Sequence, residues 1–197
     1  MSSTLHSTLL SGLAHLSLTR DRIVLAAEGF RRAGVLVPLI RGAGGADLLF
    51  TRRTDHVETH KGQISFPGGM VEEGDKDIVH TALREAEEEL GIGAKLIDIR
   101  GILDDLAVPS GFIITPVVGI LDALPVLTPN PQEVAEAFTV PLAFFCYPAN
   151  GRSELRDYRG ERGEVWFYEH GEHIIWGATA MIVRSLLLNL GVLKGQV

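Results

Sequence analysis

Three glutamates crowd one short stretch of this chain. In Arg84-Glu85-Ala86-Glu87-Glu88-Glu89-Leu90-Gly91-Ile92, a helix turning about 100° per residue puts Glu85, Glu88 and Glu89 within an arc of roughly 100°. Like charges at this spacing destabilise a helix by roughly 0.2–0.5 kcal/mol per pair, so the face calls for a compensating cation. Arg84, four residues before Glu88, supplies one positive charge, and a divalent ion supplies more. Carboxylate oxygens suit hard ions such as Mg²⁺ or Mn²⁺. An acidic run by itself is more often a solvated face. Here it follows Gly68-Gly69, and a glycine pair lets backbone groups approach an ion or a phosphate closely. Arg52, Arg53, His60, Lys61 and Gln63 lie just upstream. In an acidic chain, such a cluster beside a metal site is a candidate phosphate anchor, the alternative being a solvated loop.

The elements that must position these residues are partly legible. Val79, Leu83, Ala86 and Leu90 recur at helical spacing and predict a helix over 77–90, capped by Asp75 or Asp77 and stopped by Gly91. Val35–Ile40 and Leu48–Thr51 read as a hairpin around the turn at 42–47. Ile64-Ser65-Phe66 reads as a short strand leading into the glycine pair. Further strands are expected at 94–103, 112–121 and 165–168, a short helix at 21–28, and a last helix at 177–190 with Gly191 as its cap. Residues 130–141 fit either a strand ending at Pro141-Leu142 or a helix starting at Asn130-Pro131-Gln132-Glu133. Interleaved strands and helices predict a single α/β sandwich domain.

Composition narrows the function classes. With 197 residues, 46% hydrophobic and 22% charged, the chain is an ordinary globular protein of about one domain. Its 18 Lys+Arg against 25 Asp+Glu give a net charge of −7, which argues against a nucleic-acid partner. The single cysteine, Cys146, rules out an intrachain disulfide and reads as a buried thiol. The longest apolar run, Phe112–Leu121, falls short of the roughly 20 residues of a membrane span, and no leader pattern stands out. The expectation is a soluble cytoplasmic protein with no membrane partner, a monomer or homodimer.

Gly69, Asp75, Arg84-Glu85, Glu88-Glu89, Gly91 and Ile92 together resemble the Nudix box. Asp75 replaces the usual glutamate. The interval from Gly69 to Arg84 is one residue longer than in the common box, as in the coenzyme A pyrophosphatase branch of the family. Leu48–Arg53, His60–Gly69, Ser110-Gly111-Phe112 before Thr115–Gly119, and Ile175–Ala180 are also similar to that branch. Glu58 stands where the branch is expected to carry a basic residue. The likeness spans about residues 33–185.

The resemblance implies an α/β/α Nudix sandwich (α+β, mixed sheet) over 33–197, preceded by a leader and short helix over 1–32. It also implies Mg²⁺- or Mn²⁺-assisted attack of water on a diphosphate, here that of coenzyme A or its thioesters. The products would be 4′-phosphopantetheine and 3′,5′-ADP. In this reading Glu85, Glu88 and Glu89 are metal ligands, with the Gly68 carbonyl as a further one, and Glu85 or Glu88 helps orient or deprotonate the water. Arg84 orients the glutamates rather than touching substrate. Asp75 is either an outer residue of the metal site or a helix cap. Glu133 or Glu136 is the candidate downstream base, the alternatives being a cap and a surface position. Other substrates (ADP-ribose, NADH, a dinucleoside polyphosphate) keep the same chemistry, and a non-catalytic nucleotide sensor is the reading from another class.

Overall fold

The computed structural model describes residues 12, 21–42, 45–54, 62–158 and 161–193. Its framework is an eight-stranded mixed sheet with the path β3-β2-β1-β7-β5. β1 (Arg31–Gly42) runs parallel to β7 (Phe112–Leu121) in continuous register from Arg31↔Phe112 to Ile40↔Leu121. On its other edge β1 meets β2 (Gly45–Arg53) from Leu39 onward and β4 (Gly68–Met70) at Ala33–Val35, both antiparallel. That shared edge carries the glycine pair into the middle of the sheet. β3 (Ile64–Ser65) and β8 (Val134–Pro141) pair with β2, while β5 (Asp98–Ile102) and β6 (Leu106–Val108) pair with β7.

The strand alternation splits the core in two. Leu36, Ile40, Leu49, Val117 and Leu121 face helix α1 (Ile78–Leu90) and bury Ala82, Ala86 and Leu90. Val37, Leu39, Leu48, Phe50 and Val118 face the opposite layer. That layer holds α2 (Leu142–Phe145), α3 (Gly177–Asn189) and a separate antiparallel sheet of β9 (Gly151–Tyr158), β10 (Glu161–His170) and β11 (His173–Trp176). The expected sandwich is the one observed.

Several local expectations need correction. Residues 21–27 form no helix. The Ile23 and Leu25 amides donate to Asp104 Oδ1 at 2.8 Å and Asp105 Oδ2 at 3.0 Å, which uses up donors that a helix would need. The strand expected from 94 starts at Asp98, after a 3-10 turn at Ala94–Leu96. Val134–Pro141 is strand, and the competing helix start is a turn over 131–133. The last helix ends at Asn189 with Leu190 as its cap; Gly191 follows in the left-handed region. In α1 the fully buried stripe is Ala82, Ala86 and Leu90, with Val79 and Leu83 half-buried beside it. Among the described residues no helix is long and apolar enough to cross a membrane.

Candidate active site

α1 begins where Asp77 accepts the His80 amide at 2.8 Å and ends at Gly91, whose φ of 70° lets its amide return to the last helical carbonyls. The loop beyond closes that end further. The Thr128 and Asn130 amides donate to the carbonyls of Leu90 and Glu89 at 2.9 Å, satisfying groups that a helix terminus otherwise leaves open. The same turn fixes Glu133, whose Oε1 accepts from Asn130 Nδ2 at 3.2 Å.

Asp75 is not the cap. Its side chain is 1% exposed and accepts from Arg84, His80 Nδ1, Thr81 Oγ1 and the Glu72 amide. The Arg84 guanidinium, with help from these donors against burial, holds its carboxyl well below the usual range. Arg84 in turn donates through Nη1 to Glu85 Oε1 at 2.9 Å and Glu88 Oε2 at 2.8 Å, and through Nη2 to the Met70 carbonyl at 3.0 Å. It joins the helix glutamates to the edge of β4. Gly69 makes the approach possible, since a Cβ there would fall on the Glu85 carboxylate.

Glu89 differs from its neighbours. Its side chain is 4% exposed, and Oε2 is buried with no hydrogen-bond partner. Burial pushes its carboxyl up to about 8; Arg53 opposes this, and the Glu85 and Glu133 charges reinforce it. The Gly68 group that reaches this carboxylate is the backbone amide. Burial also raises the Glu85 carboxyl against the pull of Arg84. Among the described residues no three carboxylates or imidazoles lie together around one point; Arg84 holds Glu85 and Glu88. The site still fits a hard divalent cation. It offers a buried, unpaired carboxylate oxygen, like charges that press on it, and an all-carboxylate donor set.

The basic cluster does not stay together. Arg52 and Arg53 are adjacent on β2 and therefore point to opposite faces. Arg53 Nη1 lies 3.9 Å from Glu89 Oε1, on the α1 face. Arg52 Nε donates to Glu136 Oε2 at 3.0 Å on the other face, where His173 Nε2 lies 3.3 Å from Glu136 Oε1. The β2–β8 register steps from Arg52↔Glu136 to Arg53↔Val134 past an extra residue on β8, Ala135, and Glu133 lies in the turn before that strand. Glu133 acts electrostatically on Glu85 and Glu89, whereas Glu136 belongs to the Arg52–His173 cluster. Gln63 accepts the Arg53 amide at its carbonyl, 3.0 Å away. His60, Lys61 and Glu58 lie outside the described residues.

Two contributors escaped the sequence reading. The Met70 carbonyl is a backbone group with no sequence signal. Asn130 had one, an Asn-Pro turn whose Oδ1 accepts the Gln132 amide at 3.1 Å.

Comparison with known proteins accords with this geometry. The NUDIX domain model matches residues 30–157. A protein of Photorhabdus laumondii named "Uncharacterized Nudix hydrolase NudL" is 40% identical over 160 residues, 81% of this chain and 85% of that one. Its namesake in Escherichia coli O7:K1 is 36% identical over 182 residues, 91% of this chain and 93% of that one. DR0079 from Deinococcus radiodurans shares the fold, with a TM-score of 0.51 at 17% identity over 86% of this chain and 96% of that one. The family generally uses a divalent ion such as Mg²⁺ or Mn²⁺. With a family match over more than half its length and relatives aligned along most of it, the chain belongs to the Nudix hydrolases, enzymes that cleave pyrophosphate linkages.

Proposed function

We propose that the protein hydrolyses the diphosphate of coenzyme A or its thioesters, releasing 4′-phosphopantetheine and 3′,5′-ADP. The observation that carries the metal-dependent chemistry is Glu89, a buried carboxylate with an unpaired oxygen among further carboxylates. Glu85, Glu88 and Glu89 would hold the ion, and residues 33–197 form the catalytic domain. When bound, a divalent ion neutralises phosphate charge and helps generate the attacking hydroxide. Arg84 is the positioning residue. Its hydrogen bonds to Asp75 and Met70 fix the guanidinium, which in turn orients Glu85 and Glu88. Glu133, steadied by Asn130, is the base that receives the water proton.

The substrate reading rests on the segments that resemble the coenzyme A branch. It gains support from how two of them meet. Thr179 Oγ1, in the Ile175–Ala180 segment, donates to the Ile64 carbonyl at 2.9 Å, at the root of the glycine turn. The test is purified protein with coenzyme A, ADP-ribose, NADH or a diadenosine polyphosphate, each with Mg²⁺ or Mn²⁺, read by mass spectrometry beside Glu89→Gln. Metal-dependent release of 4′-phosphopantetheine and 3′,5′-ADP, lost in the variant, is the expected result. Cleavage of another substrate in its place removes the coenzyme A assignment.

A further inference from the structure

Arg53 and Glu89 form a contact that is close but poorly made. A guanidinium and a carboxylate that belong together bond as a fork, with N–O distances near 2.7–2.9 Å. Here the approach is 3.9 Å through a single nitrogen. Each partner also leaves a buried atom unsatisfied, Nε of Arg53 and Oε2 of Glu89. Buried polar atoms normally find partners, so two orphans in one loose pair mark a place where something else is accommodated. Arg84 does not compete for Glu89, since its Nη1 is already engaged with Glu85 and Glu88.

The position of Arg53 is built. It is the last residue of β2, its amide is bonded to Gln63, and the next residue, Thr54, is fixed by an amide bond to the Glu133 carbonyl and a hydroxyl bond to the Gln132 carbonyl. Opposite Arg53, β8 carries one extra residue, Ala135, where the register steps from Arg52↔Glu136 to Arg53↔Val134. The guanidinium is thus held between the last turn of α1 and the turn that carries Glu133, at the rim of the carboxylate cluster.

We propose that Arg53 is an exchangeable neighbour of the Glu89 carboxyl. In the metal-free protein its guanidinium faces that group across the loose contact. When a divalent cation takes that carboxylate, like-charge repulsion turns Arg53 away from it, and its donors then receive a phosphate oxygen of the substrate's diphosphate. Arg53 therefore opposes metal binding in the free protein and favours substrate binding in the loaded one. The proposal rests on the metal-dependent reading above and adds a role that links the two ligands.

The test begins with Mn²⁺ binding, followed by electron paramagnetic resonance of the free ion, in wild type, Arg53→Met and Arg53→Lys without substrate. Arg53→Met is expected to bind Mn²⁺ about tenfold more tightly than wild type, within the usual range for coupled sites, and Arg53→Lys to stay close to wild type. In turnover, Arg53→Met should raise KM by about tenfold or more with a smaller change in kcat, and Arg53→Lys should recover part of it. Equal or weaker Mn²⁺ binding by Arg53→Met overturns the proposal, as does an unchanged KM. Absence of Mn²⁺ binding by wild type overturns the metal-dependent reading as well, so the two failures are told apart. Should Arg53→Met not fold, the wild-type Arg53 Nε–H resonance, assigned by its loss in Arg53→Lys, decides. It should shift on Mg²⁺ addition, and a resonance that does not move overturns the proposal.

Discussion

Asp75 accepts two hydrogen bonds from one guanidinium, from Arg84 Nε to Oδ1 and from Nη2 to Oδ2, both at 3.1 Å. The bidentate clamp fixes the plane of Arg84 before its remaining nitrogen reaches Glu85 and Glu88. A buried carboxylate thus sets, through one guanidinium, the direction of the Glu85 and Glu88 carboxylates.

Asp75→Asn keeps the shape and removes the charge. It should destabilise the fold by about 1–3 kcal/mol and lower kcat by about tenfold or more, as expected when a supporting hydrogen bond is lost. The wild-type contribution has a definite pH window. The folded carboxyl titrates well below its ordinary value of 3.8, chiefly because of Arg84. The stabilisation is therefore complete above about pH 4 and disappears as pH falls toward the folded value. Acid denaturation curves of wild type and Asp75→Asn should draw together progressively as pH falls below about 4 and stay separate above it; parallel curves would remove Asp75 from this role.

Glu89 has the opposite sign. Its carboxyl is raised from 4.5 to about 8, first by burial, so between those values the folded protein holds a proton that the unfolded chain releases. Metal-free wild type should lose stability as pH rises through that window, by about 1–4 kcal/mol. Glu89→Gln, which has no charge to bury, should be flat over the same range and more stable than wild type at pH 8–9 in chelator. Mg²⁺ should raise the melting temperature of wild type and leave that of the variant unmoved. Melting temperatures from pH 5 to 9, with chelator or Mg²⁺, provide the measurement.

How much of this was readable from residues alone depends on how local the cause is. The helix over Ile78–Leu90 and its glutamates are a local pattern: apolar spacing, a capping Asp77, a stopping Gly91. They carried the family, the fold class and the position of the carboxylates. The partners of β2 are not local. Strand alternation sends Arg52 and Arg53 to opposite faces, and what each meets there, Glu136 of β8 and Glu89 of α1, is distant in sequence, so a cluster contiguous in sequence parts across the sheet. The missing helix at 21–28 fails for the same reason, since Asp104 and Asp105 capture its amides from a distant loop. β9 offered little signal, because Arg152, Glu154 and Arg156 occupy alternate positions where an apolar face would be expected.

Their different partners, Asn130 for Glu133 and Arg52 with His173 for Glu136, make the two glutamates separable by experiment. Glu133→Gln should lower kcat by about 10²–10⁴-fold, the usual weight of a general base, with little effect on Mn²⁺ binding. Glu136→Gln weakens the Arg52 and His173 contacts on the far face. It should reduce stability by at most about 1 kcal/mol, since both partners of the Arg52 pair are over a third exposed, while leaving kcat within a fewfold of wild type. Similar kcat losses in both variants would mean that the face assignment does not govern catalysis.

Gly69→Ala tests the close approach of β4 to α1. The added methyl would occupy the place of the Glu85 carboxylate, so Glu85 must rotate away and release Arg84 Nη1. The strand itself tolerates alanine, so the loss should be mainly functional: a melting temperature lowered by the equivalent of about 1–3 kcal/mol of overpacking, and kcat reduced about 10–100-fold. Mn²⁺ affinity should fall with it, which distinguishes a displaced ligand from a general loosening. Intact Mn²⁺ binding with normal kcat would show that Glu85 has room the structure does not suggest.

Asp105 fastens the segment before β1. Its side chain is fully buried and accepts from Arg22 Nη1 and Thr115 Oγ1 at 2.6 Å, and from Arg32 Nη2 and the Leu25 amide at 3.0 Å. Burial pushes its carboxyl up, and the Thr115, Leu25 and Arg22 hydrogen bonds outweigh that, so it titrates below its ordinary range. Asp105→Ala leaves two guanidiniums and a buried hydroxyl without their acceptor, a change that costs about 3–5 kcal/mol in comparable buried pairs. At about 2–4 °C per kcal/mol for a chain of this size, the melting temperature should fall by roughly 6–20 °C. Residues 21–28 should then become the earliest site of limited proteolysis, since their backbone bonds to Asp104 and Asp105 hold them in place. Because none of these contacts touches Arg84, Glu85, Glu89 or Glu133, Mn²⁺ affinity and kcat measured well below the melting temperature should remain near wild type. A large kcat loss in folded Asp105→Ala would show that the strap and the carboxylate cluster are coupled through β1.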